Sequence, residues 1–286
     1  MNERIESIRH ADGVVELHLS RADKMNALDP AMFDALIDAG TRLCSDAGVR
    51  AVVLAGRGKA FCAGLDMRSF ERMEQGGDGV LGQAGAGRDL TARTHGIANA
   101  AQQVAMVWRE VPVPVPVIAA LHGVAFGGGL QVALGADLRL VAPDARLSVM
   151  EIKWGLVPDM GGMVLMRELA RADVVRELTF TGRIFTGEEA VALGLATRVA
   201  ADPLAEALQM AHGIAQKSPH AIRAGKRLLN AMAGHSAAEL LLAESVEQAA
   251  LIGSPNQTEA VRANLEGRPP RFADPAIAAD AVGATG

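Results

Sequence analysis

Tyrosine is absent from the 286-residue sequence, and aromatic residues make up only 3% of it. The absence of tyrosine excludes any mechanism that needs a phenol. So few aromatic rings cannot form the stacking platforms of single-stranded nucleic-acid binders. The formal net charge of −5 also lacks the basic excess that a nucleic-acid partner requires. We therefore expect no nucleic-acid partner.

Cysteine is nearly as scarce, because Cys44 and Cys62 are the only two in the chain. Two cysteines do not make a disulfide framework, which favours a reducing compartment. No apolar run is long enough to span a bilayer, and we expect neither a signal peptide nor a membrane partner. The seven histidines show no metal-ligand spacing, so we also expect no metal. Together these absences predict a cytoplasmic protein.

Hydrophobic residues, at 50% of the chain, are sufficient for a sizeable core. Predicted strand pairs alternate with helices up to about residue 200, and only helices are predicted after Pro203, which indicates an α/β fold with an α-helical appendage. We divide the chain into a core (1–200), a helical region (201–267) and a flexible tail (268–286). Strands are predicted at 3–8, 14–19, 49–54, from 118, 137–142, 146–151 and 195–200, and helices after Asp29, at 98–109, after the glycines at 127–129, at 162–169, at 188–193 and after Ser218, Ser236 and Ser254.

The chain is organised around residues 118–135, where an apolar strand leads through three glycines (127–129) into an alanine-rich helix. The first N–H groups of that helix are unpaired and carry the positive end of the helix dipole, so a negative group could approach them. A phosphate loop would need Lys and then Ser or Thr after the glycines, and a dinucleotide loop would need a further glycine. Gly129 and Leu130 stand where the phosphate loop needs Lys and Ser or Thr, and Gln131 and Val132 break the dinucleotide pattern. An oxyanion site and a tight strand–helix junction without chemistry both remain open.

A second glycine-containing turn, residues 59–66, also follows a predicted strand. The N–H groups of Leu65, in this turn, and of Gly128, in the first, form a candidate oxyanion hole. Such a pair stabilises the enolate of a thioester, and loss of one donor costs about 3 kcal/mol of barrier. Glycines 76–87 predict a mobile segment within residues 70–100.

Two acidic residues are candidates for acid–base catalysis. Glu151 is expected at the end of a strand, where catalytic side chains often project, and Asp159 follows eight residues later. They could share a cleft in which desolvation raises one pKa, or they could be a solvated Glu and a loop-capping Asp. Gln131 cannot be a base and can only orient a water or a carbonyl. The cations Lys24, Arg57, Lys59 and Arg68 suit a phosphorylated substrate or are ordinary surface charge.

These motifs together resemble the crotonase superfamily of enoyl-CoA hydratases and isomerases. The matching segments follow in order through residues 1–265, namely 24–28, 58–66, 123–129, 144–146, 151, 155–158, 187–190 and 194–195. The resemblance implies a crotonase-like ββα spiral with a C-terminal helical trimerisation region. It also implies an acyl-CoA substrate, a homotrimer or dimer of trimers, and no cofactor beyond the coenzyme A that the substrate carries.

The resemblance also implies the parts of the site. The thioester carbonyl would lie between the N–H groups of Leu65 and Gly128, and Glu151 and Asp159 would be catalytic. Lys59 and Arg68 match positions near the CoA phosphates, and residues 70–100 match a variable stretch that lines the acyl pocket. The full implied set of substrate- or CoA-binding residues is Lys24, Ala27, Lys59, Ala63, Asp66, Arg68, Phe126 and Gln131.

Two departures from the hydratase pattern distinguish possible reactions. Hydratases have two catalytic glutamates, of which one matches Glu151 and the other falls on Gln131. Asp159 is an acid where hydratases have glycine, and in dienoyl-CoA isomerases an acid at this position works with the glutamate matching Glu151. The resemblance therefore favours double-bond isomerisation by Glu151 with Asp159. The alternatives are hydration with Glu151 as the main acid–base, and a CoA-thioester binder without turnover.

Overall fold

The computed structural model describes residues 4–75, 90–109 and 113–276, and the structural statements below concern these residues. The strands are β1 (Ile5–Arg9), β2 (Val14–Leu19), β3 (Ala51–Gly56), β4 (Val117–Leu121), β5 (Val124–Phe126), β6 (Leu138–Val141), β7 (Arg146–Ser148), β8 (Phe185–Thr186) and β9 (Arg198–Val199). The helices are α1 (Pro30–Cys44), α2 (Met67–Glu74), α3 (Ala100–Met106), α4 (Gly128–Leu134), α5 (Gly162–Met166), α6 (Ala172–Thr181), α7 (Gly187–Ala192), α8 (Pro203–Ala215), α9 (Pro219–Ala231), α10 (Ala237–Leu251) and α11 (Pro255–Glu266). Two 3₁₀ helices span Ala22–Lys24 and Glu151–Trp154.

Two sheets form the core. The larger has the order β1-β2-β3-β4-β6-β9, with β1 and β2 antiparallel and the remaining neighbours parallel. The smaller has the order β5-β7-β8. From β4 to β7, successive strands alternate between the sheets, because β4 and β6 belong to the larger and β5 and β7 to the smaller. This alternation, with helices between the strand pairs, is the expected mixed α/β architecture.

Local signals explain many of the elements. Pro30 begins α1, and the Asp29 side chain accepts a hydrogen bond from Met32 N at 2.9 Å, as the sequence predicts. Thr186 and Glu189 form the predicted capping box of α7. The apolar face of α1 includes the buried Met32 and Leu36, which belong to the main core.

The residues from 118 onward differ from the prediction of one strand leading into a helix. The strand is divided into β4 and β5 at Gly123, where φ is +62° and an added Cβ would lie 1.8 Å from the Lys59 carbonyl oxygen. Because only glycine fits there, the chain can turn from the larger sheet into the smaller one. The strand predicted at 146–151 ends at Ser148, since its neighbours pair no further than Ser148. Glu151 therefore begins a 3₁₀ helix and does not end a strand.

The sequence analysis also missed α2, α6 and β8. Helix α2 lies partly inside the segment expected to be mobile, although Asp66 caps it by accepting from Arg68 N at 2.9 Å. Residues 76–89, on which the remainder of that prediction falls, lie outside the described residues. Helix α3 is shorter than the predicted 98–109, and it begins with a capping box between Asn99 and Gln102.

Helix α8 packs on the larger sheet through alanines four residues apart. Ala207, Ala211 and Ala215 form one buried cluster with strand residues such as Val53 and Ile118. Helices α9–α11 continue beyond it and complete the predicted helical region. Within the described residues, no helix is both long enough and apolar enough to cross a membrane.

The first part of the predicted flexible tail is hydrogen bonded to the helical region. Ala273 exchanges two hydrogen bonds with the Asn256 side chain, at 3.0 and 2.8 Å, and Arg271 N donates to Glu259. Asp274 also forms an ion pair with Arg50 of β3's preceding loop. Residues 277–286 lie outside the described residues, so the flexible tail stays a prediction there.

Candidate functional site

A cavity of about 450 Å³ lies where the two glycine turns, α2, the second 3₁₀ helix and the loop after it meet. The lining combines a few polar groups with a mostly apolar wall. The polar groups are the backbone of both turns and the side chains of Gln131, Glu151 and Asp159. An apolar cavity with a few convergent polar groups is the usual form of a small-molecule site.

Gly64 and Gly128 bring the two glycine turns into contact. Gly64 has a φ of +89°, and an added Cβ would lie 2.6 Å from Phe126 O and 3.9 Å from Gly128 N. The backbone carbonyl just before Leu65 is already hydrogen bonded, because Gly64 O accepts from Leu28 N at 2.8 Å. Among the described residues, the N–H groups of Leu65 and Gly128 have no acceptor. Both groups line the cavity, so the structure brings the predicted pair of donors together.

Asn26 holds the first glycine turn in shape, a role that the sequence analysis did not assign. Its side chain is fully buried, and its φ of +56° is one that Asn tolerates better than most residues. The amide nitrogen donates to Arg57 O at 2.9 Å and Ala60 O at 2.8 Å, and the amide oxygen accepts from Arg21 N at 2.9 Å. The clue in the sequence was an Asn that precedes the first predicted helix by three residues.

We expect Asn26→Ala to lower the free energy of unfolding by about 3 kcal/mol or more. Each buried group left without a partner costs about 1–3 kcal/mol, and this change orphans several. Urea unfolding followed by circular dichroism measures the loss. Asn264→Ala is the matched control, because exposed Asn264 makes one side-chain hydrogen bond, to Ala260 O at 2.8 Å. An equal loss in both variants would contradict the role given to Asn26.

Glu151 is almost buried, with 9% of its surface exposed. Its Oε1 accepts a hydrogen bond from Gln131 Nε2 at 2.6 Å. Its Oε2 is buried and has no partner in the described parts of the chain. Burial raises the pKa of Glu151, and the nearby charge of Asp159 raises it further. A buried carboxyl with a raised pKa is well suited to accept and return a proton.

Asp159 shares the cavity with Glu151, as the sequence predicts. The residue is open to the cavity, yet protein atoms surround its carboxyl closely enough that desolvation raises its pKa. Two acids with raised pKa values in one cavity mark a candidate catalytic site. No group of three or more His, Cys, Asp or Glu in the described residues could hold a metal ion.

Comparison with known proteins assigns the chain to a family. Residues 9–275 match the family model described as enoyl-CoA hydratase/isomerase. The chain belongs to this family. Human mitochondrial Δ(3,5)-Δ(2,4)-dienoyl-CoA isomerase is 31% identical over 261 residues, which cover 89% of this chain and 77% of that protein. A Thermus thermophilus protein whose provisional name is enoyl-CoA hydratase is 33% identical over 91% of this chain and 97% of its own length.

Solved structures show the same fold. The crystal structure of an enoyl-CoA hydratase from Mycobacterium tuberculosis superposes with a TM-score of 0.80, at 28% identity over 95% of this chain and 99% of that one. The predicted resemblance to the crotonase superfamily is therefore confirmed, as is the fold class. The family contains both hydratases and isomerases, so membership shows an enzyme of this family that acts on acyl-CoA thioesters.

The cavity brings together some of the residues that the family resemblance implied and leaves others outside. Ala63, Phe126 and Gln131 line it, together with Leu65 and Gly128. The exposed cations are outside the cavity wall and form no ion pair with another described residue, so their contact with CoA stays a prediction. These cations are Lys24, Lys59 and Arg68.

Three other residues have structural roles that the sequence did not predict. Asp66 caps α2 and forms an ion pair with Arg21. Burial would raise its pKa, but the hydrogen bond from Arg68 N and the bond from Arg21 lower it. The Ala27 carbonyl accepts from Arg21 Nη1 at 3.1 Å. Arg57, for which a phosphorylated substrate and ordinary surface charge were both left open, is paired with Glu6 at 2.8 Å. Two further side chains are hydrogen bonded to backbone carbonyls: His122 Nε2 to Gly58 O and Cys62 Sγ to Asn26 O.

The apolar wall of the cavity was not recognised from the sequence. Phe70 of α2 stacks on Trp154, with ring centroids 4.1 Å apart and an interplanar angle of 18°. Because Trp154 ends the 3₁₀ helix that Glu151 begins, the stack ties α2 to the helix that carries the acid. Met67, Met73 and Met160 complete this part of the wall. Met67, Phe70 and Met73 are three residues apart, and this spacing of apolar residues indicates a helix. The glycines that follow obscured the pattern.

Proposed function

We propose that this protein is an enoyl-CoA isomerase, which moves a carbon–carbon double bond by transferring protons. The observation that carries the proposal is the pair of acids in one apolar cavity, Glu151 and Asp159, each with a raised pKa. An amide, Gln131, lies beside Glu151 where a hydratase-like pair would need a second carboxyl. The apolar wall suits an acyl chain, and the two free N–H groups suit a thioester oxygen.

The geometry supports the following sequence of steps. The thioester carbonyl oxygen accepts hydrogen bonds from Leu65 N and Gly128 N. Glu151 removes a proton α or γ to the carbonyl, so that a C–H bond breaks and its electron pair delocalises into an enolate. The two N–H donors stabilise the negative charge on the enolate oxygen. Glu151 or Asp159 then returns a proton at the other position, and the double bond has moved without oxidation or added water.

A dienoyl-CoA is the substrate class that the comparisons support most directly. The human relative is named for the conversion of 3,5-dienoyl-CoA to 2,4-dienoyl-CoA. That shift requires proton transfer at two distant carbons, for which two separate acids are suitable. Glu151 and Asp159 provide them here. We therefore propose that conjugated dienoyl thioesters are better substrates than simple enoyl thioesters.

Hydration is the second candidate, because the solved relatives include named hydratases. In a hydratase, Glu151 would be the main acid–base and Gln131 or Asp159 would orient the water. The Gln131 side chain is poorly available for this task, since its oxygen accepts from Met160 N and Gly162 N and its nitrogen donates to Glu151. We therefore rank hydration below isomerisation.

The reaction itself decides between the candidates. Crotonyl-CoA, a 3-enoyl-CoA and a 3,5-dienoyl-CoA are incubated separately in deuterated water, and products are followed by mass and absorbance. Isomerisation moves the double bond and introduces deuterium without net addition of water. The appearance of 3-hydroxyacyl-CoA would establish hydration and overturn the proposal. Binding of all three without conversion would favour the non-catalytic binder.

The pH dependence of kcat/KM should report the ionisation of Glu151. Because the base must be deprotonated and its pKa is raised, kcat/KM should rise with pH through a value above the ordinary 4.5 of Glu. The charge of Asp159 contributes to that shift, so Asp159→Asn should move the rise to lower pH. Exchange of the α proton of an acyl-CoA with deuterium is the measurement, since it needs Glu151 but not a second acid. A shift to higher pH would contradict this electrostatic coupling.

We also propose that the chain assembles as a homotrimer, alone or as a dimer of trimers. Helices α9–α11 present large apolar side chains to solvent, which is typical of surfaces that a partner covers. Sedimentation velocity measures the assembly, and a monomer at micromolar concentration would contradict it. The exposed side chains include Leu229, Met232, Leu241, Leu242, Val246, Ile252 and Leu265.

A further inference from the structure

We infer that Gln131 is a positioning residue: its amide anchors Oε1 of Glu151, and so fixes the orientation of the carboxyl and the pH at which it becomes a base. The inference rests on the proposed function of Glu151 as the proton-transferring group. It adds a role for Gln131, which hydrogen bonds to the acid.

The orientation of the Gln131 amide follows from its partners. Gln131 is 3% exposed, and its Oε1 lies 2.9 Å from both Met160 N and Gly162 N. Backbone N–H groups can only donate, so the amide oxygen must face them. The amide nitrogen must then face Glu151, and it donates to Oε1 at 2.6 Å. The backbone of residues 160–162 thus determines the direction from which Glu151 receives its hydrogen bond.

The second carboxyl oxygen makes no hydrogen bond of its own. Glu151 Oε2 has almost no accessible surface and no partner in the described residues. The bond from Gln131 is therefore the side-chain hydrogen bond on which the carboxyl depends, and Glu151 lines the cavity beside the backbone of Gly127 and Gly128. A buried carboxylate is sensitive to the loss of such a donor, because few other groups stabilise its charge.

The charged surroundings of Glu151 are simple enough for a pH test. The 3₁₀ helix also carries Lys153, whose ammonium lies 5.3 Å from the Trp154 ring centroid. Helix α4 contributes the uncharged Gln131, and α2 contributes Phe70 through its stack on Trp154. The charged residues of α2 are exposed, namely Arg68, Glu71, Arg72 and Glu74. Helix α6 packs against the 3₁₀ helix, and its charged residues Asp173, Arg176 and Glu177 are exposed as well. The loop after it contributes Asp159, whose charge raises the pKa of Glu151.

Gln131→Glu is the informative variant. It replaces the amide nitrogen that donates to Glu151 with an oxygen, and it keeps the oxygen that accepts from the backbone. One oxygen of the new carboxylate can still accept from Met160 N and Gly162 N. The other would take the place of Nε2, 2.6 Å from Glu151 Oε1. Two carboxylates at that distance cannot both be ionised, and they share a proton. The substitution should therefore preserve the fold and raise the pH at which Glu151 becomes a base.

In Gln131→Glu, the rising limb of the plot of kcat/KM against pH should move upward by at least about one pH unit. At a pH where wild-type kcat/KM is still rising, this shift corresponds to about a tenfold loss of kcat/KM. Activity should recover at higher pH, and KM should change by less than about threefold, since the substitution acts through Glu151. Gln102→Glu is the control. Its carboxylate keeps the capping box of α3 intact, and the limb should not move. A limb that stays in place in Gln131→Glu, or a loss confined to KM, would overturn the inference.

A swap and a titration complete the test. Gln131→Glu combined with Glu151→Gln keeps one carboxyl and one amide in the pair, but the carboxyl is now held by two backbone donors. It should be as inactive as Glu151→Gln alone, and recovery of a tenth of wild-type activity would overturn the inference.

¹³C NMR of labelled Glu carboxyls, assigned with Glu151→Gln, measures the Glu151 pKa without turnover. An unchanged pKa in Gln131→Glu overturns the inference. Absence of wild-type proton exchange would instead contradict the proposed function.

Discussion

Glu151→Gln should lower kcat for double-bond migration by at least about a thousandfold while the protein remains folded. A general base typically contributes about 10²–10⁴-fold, and no second acid among the described residues hydrogen bonds to this one. The substitution fits the site, because the new amide oxygen can still accept from Gln131 Nε2. The enolate donors Leu65 and Gly128 are untouched, so the substrate should still bind. Stopped-flow absorbance at saturating dienoyl-CoA measures kcat, and urea unfolding measures the fold.

The matched control for this variant is Glu188→Gln. Glu188 is an exposed residue in the first turn of α7, and its side chain makes no hydrogen bond with the described residues. The same chemical change should leave kcat within about twofold, because most surface substitutions change stability by less than about 0.5 kcal/mol. If Glu151→Gln retained full activity, the assignment of the base would be wrong.

Gly64→Ala should lower kcat/KM by about 10²–10³-fold, the effect of losing an oxyanion donor. The added methyl group would lie 2.6 Å from Phe126 O, so the two glycine turns must move apart. That movement separates Leu65 N from Gly128 N, and the thioester oxygen can no longer contact both. The loss should be much smaller for binding of a saturated acyl-CoA, because its oxygen carries little charge. Steady-state kinetics and calorimetric binding measure the two effects.

Gly253→Ala separates this geometric effect from backbone strain. Gly253 has a φ of +76°, similar to the +89° of Gly64, but an added Cβ meets nothing within 4 Å. Both variants should lose about 1 kcal/mol of stability from the left-handed conformation. Only Gly64→Ala should lose activity. Similar losses of activity in both would show that strain, and not separation of the two donors, is responsible.

Much of the site could be predicted because its signals are local. Three consecutive glycines after an apolar run indicate a turn whose N–H groups are accessible, and Glu151 and Asp159 are recognisable as acids near loops. The structure brings all of these groups to one cavity. The helix caps at Asp29 and Thr186 were equally recognisable, since each cap depends on residues three positions apart.

The errors occurred where neighbours in space overrode local pattern. The strand at residue 118 is divided because Lys59 O lies where a side chain at Gly123 would be. The strand that was to end at Glu151 stops at Ser148 because its sheet partners stop there. The ion pair of Arg57 with Glu6, 51 residues earlier, could likewise not be predicted from the sequence around either residue. None of these partners is adjacent in the sequence.

The sequence by itself determined the kinds of elements and the chemical groups available: glycine turns with free donors, two acids, and an amide where a third acid could have been. The tertiary structure decided what each group can do. Burial raises the pKa values of Glu151 and Asp159, and Gln131, 20 residues before Glu151, occupies one of its oxygens. The physical reason is that propensities and caps depend on neighbouring residues. Desolvation and hydrogen-bond partners depend on which distant segments the fold packs together.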